Sequence, residues 1–441
     1  MMRRIPQTTI DQVLERVDIV DIVSNYVTLK RRGRNFFGIC PFHKEKTGSF
    51  SVHPERQIFK CFGCGKGGTA LTFVQSVENL TFVEAIRFLA DKAGVRIEFE
   101  DDGRRHKQDR PEIDRTQVLD TAANQFTKWL MNSKEACDYL QGRGIDQAAA
   151  RRFRLGYAPD SWEALHDQLL QKGIPDKIQE ELGLIIPRQG GQGYYDRFRK
   201  RIIFPIANPL GRIVAFGGRA LGNDEPKYLN SPETSLFNKS RTLYLLEKAR
   251  EAIGRVRKTL VVEGYMDAIA LHRFGYEHSV AALGTALTED HARLLRRYGE
   301  DICLIYDGDE AGLLAARRGV DVFLSTGLPV RVAVLPSGED PDSLLSKEGK
   351  KAMDSVLEDA KDGFEFCFDR AVMEFGLDSV ADRRSVIRNL LPILIRIPEA
   401  VVQADYITFL AGRTGVNEAA IREDLSKFRR REPATRERSQ S

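Results

Sequence analysis

Two runs of apolar, β-forming residues, 260–262 and 302–306, are each followed directly by acidic side chains. Short apolar runs closed by glycine are typical of buried strands in a parallel sheet. Ligands of open α/β sheets bind just beyond the carboxyl ends of such strands. The pattern therefore predicts that one edge of a parallel sheet carries four carboxylates, those of Glu263, Asp307, Asp309 and, one helical turn beyond Glu263, Asp267.

Four carboxylates in so small a space repel one another unless cations neutralise their charge. Hard divalent ions such as Mg²⁺ take oxygen ligands and also bind phosphates. The sequence thus predicts a metal-dependent site for phosphoryl transfer at this edge.

A second pattern lies near the N-terminus, where two pairs of metal-binding residue types each enclose two other residues. Cys40 and His43 form the first pair, and Cys61 and Cys64 form the second after 17 intervening residues. Three thiolates and one imidazole match a closed tetrahedral zinc site, in which the ion is structural. Clustered cysteines in an intracellular protein favour a metal over disulfides. We therefore expect one structural zinc ion.

Basic and aromatic side chains alternate along the strands predicted around the zinc site. A sheet face that carries both can stack bases and pair with phosphates. Phe36 and Phe59 fit a small hydrophobic core equally well. The better candidates for contact with nucleic acid in this module are Lys30, Arg34 and Lys60.

The distribution of charge says more than its total. The 441 residues carry a net charge of only +4, but residues 188–241 hold ten Lys and Arg against four Asp and Glu. Aromatic residues and glycines lie among them, which suits a phosphate-binding, base-stacking groove, although a solvated surface is the alternative. No run reaches the roughly 18 apolar residues of a membrane helix, and residues 1–6 are not followed by the apolar stretch expected of a signal peptide. A cytoplasmic location is the expectation.

The order of these patterns predicts a multidomain α+β protein. Residues 101–112 contain no large apolar side chain and are expected to form a linker. The full division is a zinc-ribbon DNA-binding domain at 1–100, the linker at 101–112, a mixed α/β basic subdomain at 113–257, a parallel-sheet catalytic unit at 258–345, a helical subdomain at 346–428 and a disordered tail at 429–441.

Taken in order, these motifs resemble those of bacterial DnaG-type primases from residue 1 to about 430. Residues 40–64 are similar to the CHC2 zinc ribbon of that family. Residues 263–267 and 307–309 resemble its Toprim module, a fold shared with topoisomerases. Further blocks at 139–144, 197–199, 216–219 and 226–234 match the primase core.

The resemblance implies an enzyme that joins nucleoside triphosphates into a short RNA primer on single-stranded DNA during replication. Such an enzyme needs no pre-existing 3′ end, acts at the bacterial replication fork and is expected here to be a monomer. No membrane partner is expected.

The resemblance also implies roles for individual residues. Glu263 would either help to bind the catalytic metal or act as general base toward the attacking 3′-hydroxyl. Asp267 would support the site rather than ligate. Two or more Mg²⁺ or Mn²⁺ ions would be held with Glu263 by Asp307, Asp309, Asp340 and Asp342. Nucleotides and template would contact the basic residues that match the family core: Arg143, Arg199, Arg201, Arg219, Lys227, Lys239 and Arg241.

One departure from the family concerns the C-terminus. These primases carry a further helical domain that docks on the replicative helicase, whereas this chain ends at Ser441 after an arginine-rich stretch that resembles the linker to that domain. We therefore expect the docking domain to be absent, and helicase not to stimulate priming.

Two other classes of protein combine zinc and Toprim modules. Type IA topoisomerases need a catalytic tyrosine in a large strand-passage domain, for which the roughly 100 residues after the Toprim segment leave little room. Recombination mediators bind DNA without catalysis, but they are much shorter and lack the basic block. A primer-synthesis assay distinguishes all three.

Overall fold

The computed structural model describes residues 5, 7–43, 45, 48–78, 80, 82–95, 97, 113–188, 190–191, 193–222 and 224–431. The chain divides into two compact units, residues 1–112 and 113–441. The predicted linker at 101–112 and residues 432–441 of the predicted tail lie outside the described residues.

The first unit is built on an antiparallel five-stranded sheet whose strands follow chain order. Its elements are α1 (Gln7–Arg16), α2 (Ile19–Ser24), β1 (Lys30–Arg32), β2 (Asn35–Gly38), β3 (Phe50–His53), β4 (Ile58–Cys61), β5 (Gly67–Thr69), α3 (Ala70–Glu78) and α4 (Phe82–Ala93). Phe50, Phe59 and Phe73 are fully buried, and their rings pack within 6 Å of one another. Phe59 is therefore a core residue.

The second unit begins with helices around a four-stranded antiparallel sheet of order β11-β10-β9-β6. Helix α5 packs against this sheet, with Phe126 edge-on to Phe216 at 5.3 Å. The elements are α5 (Arg115–Asn132), α6 (Lys134–Gly142), α7 (Gln147–Arg152), β6 (Gly156–Ala158), α8 (Ala164–Gln171), α9 (Asp176–Glu181), β7 (Ile185–Pro187), β8 (Tyr194–Asp196), β9 (Arg201–Ala207), β10 (Ile213–Ala220), β11 (Tyr228–Asn230) and a 3₁₀ helix (Lys239–Arg241).

A five-stranded sheet of order β13-β12-β14-β15-β16 follows. Its first four strands are parallel, and the short β16 runs antiparallel beside β15. At the other edge, Tyr244 forms a backbone bridge to Ala281 of β13. The elements are α10 (Leu246–Val256), β12 (Lys258–Val262), α11 (Tyr265–Arg273), β13 (Ser279–Ala281), α12 (Glu289–Leu295), β14 (Asp301–Tyr306), α13 (Glu310–Ser325), β15 (Val330–Val334), α14 (Pro341–Glu348), α15 (Lys350–Glu358) and β16 (Lys361–Asp362).

Four helices complete the described chain, and they share a hydrophobic core with α13 and the parallel sheet. They are α16 (Gly363–Phe375), α17 (Val380–Arg396), α18 (Ala400–Thr414) and α19 (Glu418–Arg431). Helix α19 continues to Arg431, three residues into the tail that was predicted to begin at 429. Ile421 and Leu425 are buried on one face of α19, and Phe428 packs beside them, so the amphipathic face extends the helix.

The predicted fold class is confirmed: a zinc-ribbon unit, a mixed α/β subdomain, a parallel-sheet unit and a helical C-terminal region follow one another. Over the part of the chain that is described, none of the helices has both the length and the apolar character of a membrane span.

Candidate functional site

The two cysteine-containing turns of the first unit bring four metal-binding atoms together. One donor atom each from Cys40, His43, Cys61 and Cys64 lies within 4.8 Å of the others. Cys40 Sγ is 3.9 Å from Cys64 Sγ, and Cys61 Sγ is 3.6 Å from His43 Nδ1. Tetrahedral zinc with ordinary bond lengths separates two sulfurs by roughly 3.8 Å and a sulfur from a nitrogen by roughly 3.6 Å. The residues therefore fit one zinc ion.

Around this site the sheet presents basic residues on its open face. Cross-strand pairing runs from Lys30 to Phe37, from Phe37 to Ser51 and from Ser51 to Lys60, which puts all four on one face. Lys30 and Lys60 are exposed, and the exposed Arg34 lies in the turn between β1 and β2. The three basic residues named from the sequence therefore all face solvent.

In the parallel sheet, acidic residues directly follow the carboxyl ends of two neighbouring strands and so lie at one edge. β12 ends directly before Glu263, and β14 ends directly before Asp307. Asp309 caps α13 by accepting the Gly312 N–H at 2.7 Å, and Asp340 caps α14 in the same way. Capping at a helix N-terminus fixes the orientation of both carboxylates.

These acids are close enough for neighbouring charges to raise the pKa values of Glu263 and Asp307. Burial, followed by the charges of Asp307 and Asp309, raises the pKa of Glu263. Burial, followed by the charges of Asp340 and Asp309, raises the pKa of Asp307. A cation between them would relieve this repulsion.

Two further acids lie deeper. Asp342 is 3% exposed and accepts a hydrogen bond from Arg143 Nη1 at 3.1 Å. Burial raises the pKa of Asp267 to about 7, with the charges of Asp340 and Asp307 adding to it. The structure thus places Asp342 in an ion pair and Asp267 in a largely desolvated position.

The spacing of the acids differs from that of the zinc ligands. Within the described residues, no three of these carboxylates come close enough to enclose an ion by themselves. Mg²⁺ commonly uses one or two carboxylates and completes its shell with water and substrate phosphates. The edge suits ions that are bound together with a substrate.

Basic residues of the preceding subdomain reach this edge around Tyr228. Arg219 lies 5.6 Å from the ring of Tyr228 and 5.3 Å from that of Tyr139. Tyr228 is 36% exposed, but desolvation of its hydroxyl raises its pKa to about 12, and the charges of Arg219, Asp267 and Arg143 also act on this pKa. Guanidinium groups and carboxylates therefore meet at one place.

The other predicted basic residues are spread more widely. Lys227 is exposed before β11, and Lys239 is half-buried in the 3₁₀ helix. Arg241 is exposed but paired with Asp290 at 2.8 Å. Arg201 is 6% exposed and donates to the backbone carbonyl of Pro226 at 2.8 Å, so its guanidinium faces the protein interior.

The structure adds an aromatic platform that the sequence analysis missed. Trp162 is 57% exposed, and the ring of Tyr195 lies 5.6 Å from it. Arg199 stands 4.1 Å from the centre of the Trp162 ring and 5.1 Å from that of Tyr195. The one signal in the sequence is a tryptophan between Ser161 and Glu163, an unusual residue in a polar setting.

Four family profiles match the chain in sequence order. They describe a CHC2 zinc finger at 5–105, the N-terminal domain of the DNA primase catalytic core at 125–250, a Toprim-like domain at 260–345 and the DnaB-helicase binding domain of primase at 364–419.

The last of these profiles overturns one expectation. The helicase-docking region was predicted to be absent, yet the profile for helicase binding covers most of α16, all of α17 and α18 and the start of α19. The prediction was wrong because apolar periodicity identifies helices but does not reveal which partner their exposed faces bind.

Whole-chain comparisons agree with the profiles. The DNA primase of Clostridium acetobutylicum is 41% identical over 426 residues, which cover 96% of this chain and 70% of that protein. The zinc-binding and RNA polymerase domains of the Aquifex aeolicus primase share 33% identity, with a TM-score of 0.63 over 94% of this chain and 98% of that one. A DnaG primase catalytic domain solved with single-stranded DNA shares 36% identity, with a TM-score of 0.61 over 68% of this chain and 97% of that one. With identity sustained over nearly its whole length, the chain belongs to the DnaG-type family of bacterial DNA primases.

Proposed function

We propose that this chain makes RNA primers at the edge of the parallel sheet that carries Glu263, Asp307 and Asp309, which we call the acid edge. The neighbouring basic subdomain would hold the template. The observation that supports this most directly lies around Tyr228, where Arg219 is 5.6 Å from the ring and Arg143 pairs with Asp342, which in turn is close enough to Asp340 of the acid edge for their charges to interact. Guanidinium groups bind phosphates, and carboxylates bind the divalent ions that accompany them. The two subdomains thus supply complementary halves of a triphosphate site.

The residue roles follow from position. Asp307 and Asp309, with Glu263, would hold Mg²⁺ or Mn²⁺, which polarises the α-phosphate and offsets the charge of the triphosphate. Glu263 is alternatively a proton acceptor for the attacking 3′-hydroxyl, a role that its raised pKa favours. Asp340 belongs at the same edge. Asp342, paired with Arg143, would position that arginine.

Template binding would use the aromatic platform and the exposed basic side chains. Trp162, Tyr195 and Arg199 offer planar groups against which nucleobases could stack, while Lys227 would contact phosphates. In the zinc unit, Lys30, Arg34 and Lys60 would contact DNA. Arg201 would support the strand that carries the groove rather than touch DNA.

We further propose that residues 364–419 dock on the replicative helicase at the bacterial replication fork. Met373 and Val380, at the end of α16 and the start of α17, are 78% and 76% exposed. Apolar side chains this exposed are candidates for an interface.

A priming assay tests the proposal. Single-stranded DNA, labelled ribonucleotides and Mg²⁺ or Mn²⁺ should yield short RNA products. A recombination mediator would bind the DNA but leave the nucleotides unjoined, and a topoisomerase would relax supercoiled DNA instead. Either result would refute the proposed activity.

A further inference from the structure

Glu45 lies beside the zinc ligands and makes contacts that zinc coordination alone does not require. Its carboxylate accepts the backbone N–H of Cys40 at 2.8 Å and that of Ser49 at 2.9 Å. It also accepts the hydroxyl proton of Ser49 and lies 3.4 Å from His43 Nε2. The Glu45 side chain is only 9% exposed, so water competes little for these contacts.

The ring of His43 points its two nitrogens in different directions. Nδ1 lies 3.6 Å from Cys61 Sγ, the roughly 3.6 Å expected of two ligands on one tetrahedral zinc. Nε2 faces the carboxylate of Glu45. A metal-bound histidine commonly donates its second ring N–H to a carboxylate, which fixes both the tautomer and the ring orientation.

Ser49 connects this pair to the second cysteine turn. Its Oγ is 3.2 Å from Cys61 Sγ and accepts the Gly63 N–H at 3.1 Å. A Cβ atom on Gly63 would lie 2.4 Å from His43 Nε2 and 2.9 Å from Ser49 Oγ. The backbone of the second turn is therefore packed directly against His43 and Ser49.

We propose that Glu45 and Ser49 are positioning residues of the zinc site. Glu45 holds His43 in the tautomer that presents Nδ1 to the metal, and it fixes the Cys40 turn through the backbone. Ser49 ties both to the Cys61 turn. Neither residue is a ligand, so their loss keeps all four ligands and changes how firmly the ion is retained. The inference rests on zinc being bound here.

The test measures zinc release to a chromogenic chelator from the full-length protein. Glu45→Ala and Glu45→Gln should each release zinc about 10- to 100-fold faster than wild type, the usual effect of losing such a partner of a ligand. Ser49→Ala should also accelerate release. The matched control is Glu55→Ala, an exposed acid in the turn between β3 and β4 of the same sheet, which should release zinc at the wild-type rate.

The Gln variant carries the decisive comparison, because it keeps the side-chain size and an acceptor for the backbone N–H groups. Wild-type release from Glu45→Gln would overturn the role of the carboxylate toward His43. Nitrogen NMR of the zinc-loaded wild type should show His43 protonated at Nε2 and metal-bound at Nδ1, and the reverse would also overturn the proposal. Elemental analysis distinguishes failure of the zinc site from failure of the positioning role. Wild-type protein without zinc refutes the zinc site itself. Zinc-loaded wild type whose variants release zinc at the wild-type rate refutes only the positioning role.

Discussion

At the residue scale, Asp309 has two functions that must be separated. It is placed at the acid edge and it also caps α13 through Gly312. Asp309→Asn keeps an oxygen for the cap but removes the charge, so priming should fall by at least about 100-fold, since metal charge stabilisation is worth several kcal/mol. The thermal midpoint should stay near that of the wild type. Primer yield and thermal unfolding measure the two effects.

Asp309→Ala should abolish priming as well, but it should also destabilise the protein by about 1 kcal/mol through loss of the cap. Asp359→Ala, an exposed acid at the end of α15, is the control and should prime normally. Near wild-type priming by a folded Asp309→Asn protein would refute the assignment of this carboxylate.

Asp196 predicts a dependence of stability on pH. Burial raises its pKa to about 6, although the N–H groups of Leu165 and His166 act to lower it; in an unfolded chain it titrates near about 3.9. Between these values the folded state binds more protons, so stability is lost as pH rises from about 4 to about 6, by at most about 3 kcal/mol.

Asp196→Asn removes this titration. The unfolding free energy of the wild type, relative to that of the variant, should therefore decrease as pH rises through this window. Tryptophan fluorescence in urea titrations reports it, because both tryptophans of the chain, Trp129 and Trp162, lie in this subdomain. Asp160→Asn, at an exposed acid, should show no such trend. If the difference in unfolding free energy between wild type and Asp196→Asn did not change with pH, the raised pKa of Asp196 would be contradicted.

At the element scale, the platform between α8 and the β7–β8 hairpin predicts how template is held. Trp162→Ala should weaken binding of single-stranded DNA by about 5- to 150-fold, because stacking of one base contributes about 1–3 kcal/mol. Trp162→Phe should retain part of the affinity. Fluorescence anisotropy of a labelled oligonucleotide measures this. Leu170→Ala, at an exposed apolar position within α8, should bind normally. Wild-type affinity of the Trp162→Ala protein would show that the platform does not bind template.

The helical region predicts contact with the helicase. Met373→Asp combined with Val380→Asp places charge on both exposed apolar positions and should weaken helicase binding by 10-fold or more, on the order of 1.4 kcal/mol. Val401→Asp, exposed at the start of α18, shows whether the interface extends there. Pull-down of the purified helicase, with basal priming as the folding control, provides the measurement. Unaltered capture by the double variant would place the docking surface elsewhere.

The elements also show what a sequence can predict. β12 and β14 end at Val262 and Tyr306, where the apolar runs end, because a strand buried on both faces has a local signature. Arg201 shows the opposite case: the resemblance to the family implied a contact with nucleotide or template, but this residue begins β9 and is buried by Pro226 and neighbouring backbone. All seven residues of β9 are buried, and a basic residue in the sequence does not reveal that its strand is covered on both faces. The pairing of Trp162 with Arg199 depends on tertiary structure and has no local signature.

At the scale of the whole molecule, the division at residue 112 predicts independent stability. Cys61→Ala should lose zinc and unfold the first unit, since structural zinc supplies most of the folding free energy of so small a module. Residues 113–441 have their own cores and should keep their thermal midpoint. Limited proteolysis should then leave a stable fragment that begins near 113. Retained zinc by elemental analysis, or unfolding of the larger unit, would contradict this.

Both edges of the parallel sheet are covered by the chain's own backbone, β16 beside β15 and Tyr244 against Ala281. An exposed edge strand invites pairing with a second molecule, and native proteins avoid this by blocking the edge. Self-association through strand exchange is therefore disfavoured. The parallel sheet is therefore complete within one copy of the chain, and its acid edge needs no strand from a second molecule.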